Sequence, residues 1–410
     1  MWFHGGGWAS GSSYQQDIYD GVNLVELGDV VFVSINHRLN VLGYLDLSAY
    51  GEKYKDSANV GVLDMLMALE WVHDNAAAFG GDPNNVTIAG QSGGGSKVLT
   101  LMGMPAAQGL FHKAVVQSGG NDLTVRTHEE AQAEAAKLLE VLGMTAEELE
   151  TIDYDDLKDA CDEAHVTFGP VLDEDIYPST SLALSKDIPM MCGNVQGEFS
   201  TNIGDMIFGT PNMPTQMVEF IFNAEFAPAN WDEAKTMEKL TQKFGDKAEA
   251  VKAAFEAAYP GHPAGEALYT NDRTRMSSEA FVEAFYEVGG TAYQYIQAWT
   301  YPMFGGVVPI HTAGDVPLWF YNVDLIRPFI SGYEDVAWDV SYNMATALLT
   351  FMRTGSPSTE DLPWESWNPE ADPVMVFDEV CEVRYHHEDA LIELLQSVPS
   401  GGGGKPGGPH

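Results

Sequence analysis

Residues Gly90-Gln91-Ser92-Gly93-Gly94 form a G-x-S-x-G pentad. The pentad falls between an apolar run, Val86-Thr87-Ile88-Ala89, that reads as a strand, and a segment from Gly93 to Met102 that reads as a helix. That context gives the motif its meaning. A strand that turns straight into a helix holds its turn residue in a strained backbone conformation, and only small neighbours leave room. The hydroxyl of Ser92 is then lifted above the sheet. The helix N-terminus behind it presents amide N–H groups where negative charge would develop. The alternative is a glycine-rich turn with an idle serine. A second glycine cluster, His4-Gly5-Gly6-Gly7-Trp8, opens the chain. Three consecutive glycines let backbone amides approach a substrate oxygen, and such a loop after a strand completes an oxyanion hole with the amide that follows the nucleophile. The donors read from the sequence are Gly6, Gly7 and Gly93. His4 reads as a brace for the loop.

A hydroxyl needs a base to take its proton. Eleven histidines are available. In the chain order Ser, acid, His that goes with this motif, His311 is the best-placed base, in a loop before the apolar run Val316 to Phe320, which reads as a strand. His37 and His73 precede the serine. His112, His128, His165 and His262 lie in helical or linker contexts, and His386-His387 opens the last helix. The acid must hold the imidazole in one tautomer and stabilise its charge. Glu198, in Gly193-Asn194-Val195-Gln196-Gly197-Glu198, follows an apolar stretch and so falls on a loop at a strand end. Read by itself, it is also one carboxylate among 60 acidic residues.

The elements around these residues alternate strand and helix. Val30 to Asn36 is a β-branched run suited to a buried parallel strand. Residues 59–80 carry apolar side chains at helical spacing, ended by Gly80-Gly81-Asp82-Pro83. Lys113 to Val116 reads as a further strand. Toward the end come a strand near 316–321, a helix near 335–354 and a strand near 374–377. This alternation implies an α/β fold, a parallel sheet covered on both faces. Residues 125–165 and 210–290 read as helical insertions on a single domain spanning 1–398. The Gly/Pro-rich stretch 399–410 reads as a flexible tail.

Composition narrows the partners. Lys plus Arg total 20 against 60 Asp plus Glu, a formal charge of −40. Such a surface repels phosphate backbones and anionic lipid, which excludes nucleic acid as a partner class. The bland account of this charge is solubility; steering of cationic substrates is the sharper one. Three well-separated cysteines, Cys161, Cys192 and Cys381, argue against a disulfide framework and point to a cytoplasmic setting, with secretion as the alternative. No run approaches the roughly 20 apolar residues of a membrane span.

Together these segments resemble the type-B carboxylesterase and cholinesterase family of the α/β-hydrolase fold. His4-Gly5-Gly6-Gly7-Trp8 is similar to its oxyanion loop. Ser34-Ile35-Asn36-His37-Arg38-Leu39 with Leu42-Gly43-Tyr44-Leu45, Ala58-Asn59-Val60-Gly61-Val62-Leu63-Asp64, and Phe79-Gly80-Gly81-Asp82-Pro83 through to Ser92 match further family segments. So do Gln117-Ser118-Gly119 and Phe351-Met352-Arg353-Thr354-Gly355-Ser356-Pro357. The resemblance implies a serine carboxylic-ester hydrolase with a Ser92–His311–Glu198 triad, a small-molecule ester substrate and no cofactor or metal. It implies Ser118 as a hydroxyl near the acid, with a structural turn as the equal alternative. A hormone-sensitive-lipase-like branch would instead use an aspartate close to the histidine, here Asp315. A second class of reading is a catalytically inactive fragment or a cholinesterase-like binding or adhesion module. Three departures stand out. Gln91 replaces the glutamate many members carry before the serine. Gly314 lengthens the step from His311 to Asp315. Only Met1-Trp2-Phe3 precede the glycine loop, which implies absent strands, an open sheet edge, and either self-association or a complementing N-terminal segment.

Overall fold

In a computed structural model, residues 1–119, 125–198, 228–270, 272–302 and 314–398 are described. The chain runs β1 (Trp2–Phe3), α1 (Val22–Gly28), α2 (Asn40–Tyr44), α3 (Val60–Asn75), β2 (Thr87–Gln91), α4 (Gly93–Met102) and β3 (Lys113–Gln117). It continues through α5 (His128–Leu142), α6 (Tyr154–Ala164), β4 (Met190–Val195), α7 (Glu233–Phe244), α8 (Ala248–Ala258), α9 (Asp272–Glu287) and β5 (Ala292–Gln297). Last come α10 (Val316–Trp319), α11 (Glu334–Thr354), β6 (Pro373–Phe377), β7 (Glu382–Tyr385) and α12 (Asp389–Gln396). The strands form one seven-stranded sheet in sequence order. β1 to β6 are parallel, and β7 closes the far edge antiparallel to β6.

Alternation along the strands sorts the core into two faces. Trp2, Ala89, Val115, Met191, Tyr293 and Tyr295 face one way and pack with Val340, Met344, Leu348 and Phe351 of α11. Their neighbours Phe3, Ile88, Val116, Met190, Cys192 and Ala292 join Val62, Met65 and Leu69 of α3 and Leu99 and Met102 of α4. Strands buried on both faces explain why the sequence shows continuous apolar runs. A third cluster joins Ile296, Val374 and Val376 to α7, α8 and α12. The three cysteines are free.

Two expected strands are corrected. Val30 to Asn36 forms no strand: it meets β1 through Trp2 N–H donating to Val33 O at 2.7 Å and one bridge between Trp2 and Ser34. A two-residue β1 offers only that much ladder, and Val31 stays 41% exposed. The groove left there, about 900 Å³, is lined by Trp2, Val31, Phe32, Val33, Thr87 and Phe320 and does not include Ser92. Val316 to Trp319 is a short helix, not a strand. Pro317 in its first turn has no N–H for a ladder but suits a helix start, and Leu318 and Trp319 both donate to Asp315 O. Within the expected insertions, α5 to α9 are helical, and residues 210–227 lie outside the described residues, as does the tail 399–410.

Helix α3 tests the two-faced packing directly. Leu69 is fully buried whereas Met67 is 67% exposed. Leu69→Ala is expected to cost about 2–5 kcal/mol in urea unfolding, and Met67→Ala less than about 0.5 kcal/mol. Equal costs would mean that α3 is not seated on the sheet as described.

Candidate active site

Ser92 sits where β2 gives way to α4, with φ 56° and ψ −124°. A β-carbon-bearing residue rarely occupies this region, and such strain is held only where surrounding contacts fix it. They do so here: Ser92 N–H donates to Gln117 O of β3 at 2.8 Å, and Ser92 O accepts the Ser96 amide at 3.2 Å. The first turn of α4 presses on the opening loop. A Cβ on Gly93 would collide with the amide nitrogen of Gly7, and one on Gly94 with the carbonyl oxygen of Phe3. Gly6 and Gly7 have φ of 89° and 60°, which L side chains seldom adopt. The Gly7 amide nitrogen thus lies against Gly93 at the N-terminus of α4.

Strand register brings the next groups to the same edge. Gln91 aligns with Gln117, and Gln117 with Gly193. Ser92, Ser118 and Glu198 therefore all follow the carboxyl ends of neighbouring strands, the edge where open α/β sheets bind ligands. Ser118 is also left-handed, at φ 47°. Its amide donates to Gly193 O at 2.7 Å, and its buried Oγ has no partner among the described residues. Glu198 is 2% exposed and its Oε1 accepts the Val195 amide at 3.2 Å.

Asp315 reaches the same place from the far side of the chain. Its carboxyl is buried, Oδ2 accepts Trp319 Nε1–H at 3.1 Å, and Oδ1 has no partner among the described residues. Burial first, and the charge of Glu198 second, push its pKa up to about 7. Two carboxylates in one dry site cannot both ionise freely. The sequence offered Asp315 only as a rival acid; burial and coupling could not be read from a single aspartate.

Predicted His311 lies outside the described residues; Trp8 is buried against Tyr44. Nine of the eleven histidines are described, and none of these is hydrogen-bonded to the Ser92 hydroxyl. His4 and His37 stack 5.1 Å apart below the glycine loop, with ring nitrogens on Gly5 O and Arg38 O. Burial lowers their pKa values to about 4 and about 3. His128 lies between Asp46 and Asp173, and His262 between Glu266 and Asp378. His112 accepts the Val86 amide. For metals, the described residues offer one cluster, Asp372, His386 and Asp389, at the β6–β7 end of the sheet with two of the three exposed.

The profile of the carboxylesterase family matches residues 1–391, and the chain belongs to that family. It is a carboxylic ester hydrolase of the α/β-hydrolase fold. The chain is 29% identical to the para-nitrobenzyl esterase of Bacillus subtilis, over 98% of this chain and 79% of that protein. It is 29% identical to the phenmedipham hydrolase of Pseudarthrobacter oxydans, over 93% and 76%. A solved esterase from Clostridium hathewayi, described as able to hydrolyse aliphatic aromatic polyesters, superposes with a TM-score of 0.83 at 34% identity, covering 97% of this chain and 78% of that one.

The Asp315 carboxyl predicts a pH signature. Its folded pKa of about 7 stands above the ordinary 3.8, so between pH 4 and 7 the folded chain holds a proton that the unfolded chain has lost. This costs stability progressively as pH rises through that window and no further above it. Asp315→Asn removes the titration while keeping an acceptor for Trp319. Its melting temperature is expected to gain on the wild type between pH 5 and pH 8. A pH-independent difference would show that Asp315 is ionised throughout.

Proposed function

We propose that hydrolysis proceeds through an acyl-enzyme on Ser92, with His311 as base and Glu198 as its acid partner. The observation that carries this reading is the strained Ser92 at the β2–α4 turn, with the Gly7 amide packed against Gly93. His311 takes the hydroxyl proton as Ser92 Oγ attacks the ester carbonyl. The amides of Gly6, Gly7 and Gly93 hold the resulting oxyanion. His311 then gives its proton to the leaving alcohol, and the cycle repeats with water as nucleophile to release the acid. No step calls for a metal or an organic cofactor.

Among the acids, the site favours Glu198. A base that becomes an imidazolium needs an ionised carboxylate beside it, and Asp315 is partly neutral near pH 7. None of the nine described histidines is hydrogen-bonded to the Ser92 hydroxyl, which supports His311 as the base. For substrate, we propose neutral esters with an aromatic part. The relatives' names support this with para-nitrobenzyl esters and aliphatic aromatic polyesters.

Steady-state kinetics on para-nitrobenzyl and p-nitrophenyl esters test the assignment. Ser92→Ala is expected to lower kcat by about a millionfold, and Glu198→Gln by about 10⁴-fold, as when a triad acid loses its charge. Asp315→Asn should stay within about tenfold of wild type. The reverse ranking of the two acid variants would transfer the role to Asp315. Residual turnover of Ser92→Ala near wild type would remove the serine from the chemistry.

A further inference from the structure

Helix α4 carries a lysine where its packing calls for an apolar residue. Lys97 lies one helical turn and a residue beyond Ser92, and its side chain is fully buried. Val98, Leu99, Leu101 and Met102 around it are core residues. Its Nζ donates to the carbonyl oxygen of His4 at 2.9 Å and stands 5.9 Å from the ring of Trp8. No carboxylate pairs with it among the described residues; Asp64 is held by a two-pronged bond from Arg38. The titratable groups that face it are the stacked rings of His4 and His37, both neutral at ordinary pH. A lone buried ammonium is unfavourable in a fold, and its pKa falls to about 7 through burial. Packing alone gives no reason to keep it.

The acceptor gives one. The His4–Gly5 peptide is the first of the glycine loop, whose far end is tied by the Asn40 amide donating to Trp8 O at 2.8 Å. His4 Nδ1 meets Gly5 O at 2.7 Å, and Ala9 and Ser10 amides donate back to Gly6 O. Lys97 is the side chain that reaches from the nucleophile's own helix to that loop. We propose that Lys97 is a positioning residue for ester hydrolysis: the Nζ–His4 O bond sets the height of the Gly6 and Gly7 amides relative to Ser92. This rests on the reading of Gly6 and Gly7 as oxyanion donors. A loop misplaced by a fraction of an ångström binds ground-state substrate about as well but meets the oxyanion badly, so the loss falls on kcat.

Lys97→Met keeps the length and apolar stem and removes both donor and charge; Lys97→Gln keeps a shorter, neutral donor. Both are read by kcat and KM, by thermal melting, and by amide exchange of a peptide spanning residues 4–8. For Lys97→Met the expected result is kcat reduced about 10- to 100-fold with KM within about threefold. Melting should be unchanged or higher, because a buried charge is gone, and exchange in residues 4–8 should be at least about tenfold faster while α4 keeps its protection. Lys97→Gln should fall between the two. A kcat within twofold of wild type, or unchanged exchange in residues 4–8, overturns the proposal. So does a fall in melting temperature parallel to the fall in kcat in both variants, which would make Lys97 an ordinary core residue. Exchange reads the tether whatever the turnover. A wild type whose turnover does not depend on Ser92 would instead sink the hydrolysis mechanism.

Discussion

The site depends on how closely two backbones approach. The first turn of α4 lies directly against the opening loop, so that Gly93 meets the amide of Gly7 and Gly94 meets the carbonyl of Phe3. Any Cβ at those positions would push the helix away from β1 and open the space between the nucleophile and the loop amides. The strain at Ser92 is the other side of the same contact. A left-handed serine between strand and helix is held because its amide is tied to β3 and its carbonyl to the next turn of α4. The sheet beneath supplies rigidity, with each of its faces sealed by its own set of apolar side chains.

Around that contact the chain buries ionisable groups at some cost. Lys97, His4 and His37 lie below the loop, and Asp315 lies beside Glu198. Each loses hydration and is shifted toward neutrality. A dry, weakly screened neighbourhood strengthens whatever charge develops at the reacting centre. The chain as a whole carries 60 acidic side chains against 20 basic ones.

Much of this was legible in the sequence because its determinants are local. The pentad around Ser92 and the run of glycines after His4 name a turn and a loop by residue type alone. The parallel sheet followed from apolar runs alternating with helical spacing. What failed, failed for tertiary reasons. Val30 to Asn36 has strand composition but meets only a two-residue β1 and finds no ladder. Val316 to Phe320 has the same apolar look, but Pro317 and the Asp315 carbonyl start a helix turn there. Lys97 and Asp315 were illegible as functional groups for a similar reason: burial, not identity, makes an ammonium or a carboxyl unusual.

The most direct test of the account is the site of covalent capture by a fluorophosphonate ester, mapped by peptide mass spectrometry on the intact 410-residue chain. The account predicts one adduct per chain, on the peptide containing Ser92, formed far more slowly when His311 is replaced by alanine. An adduct on another residue, or equally rapid capture without that imidazole, would contradict it.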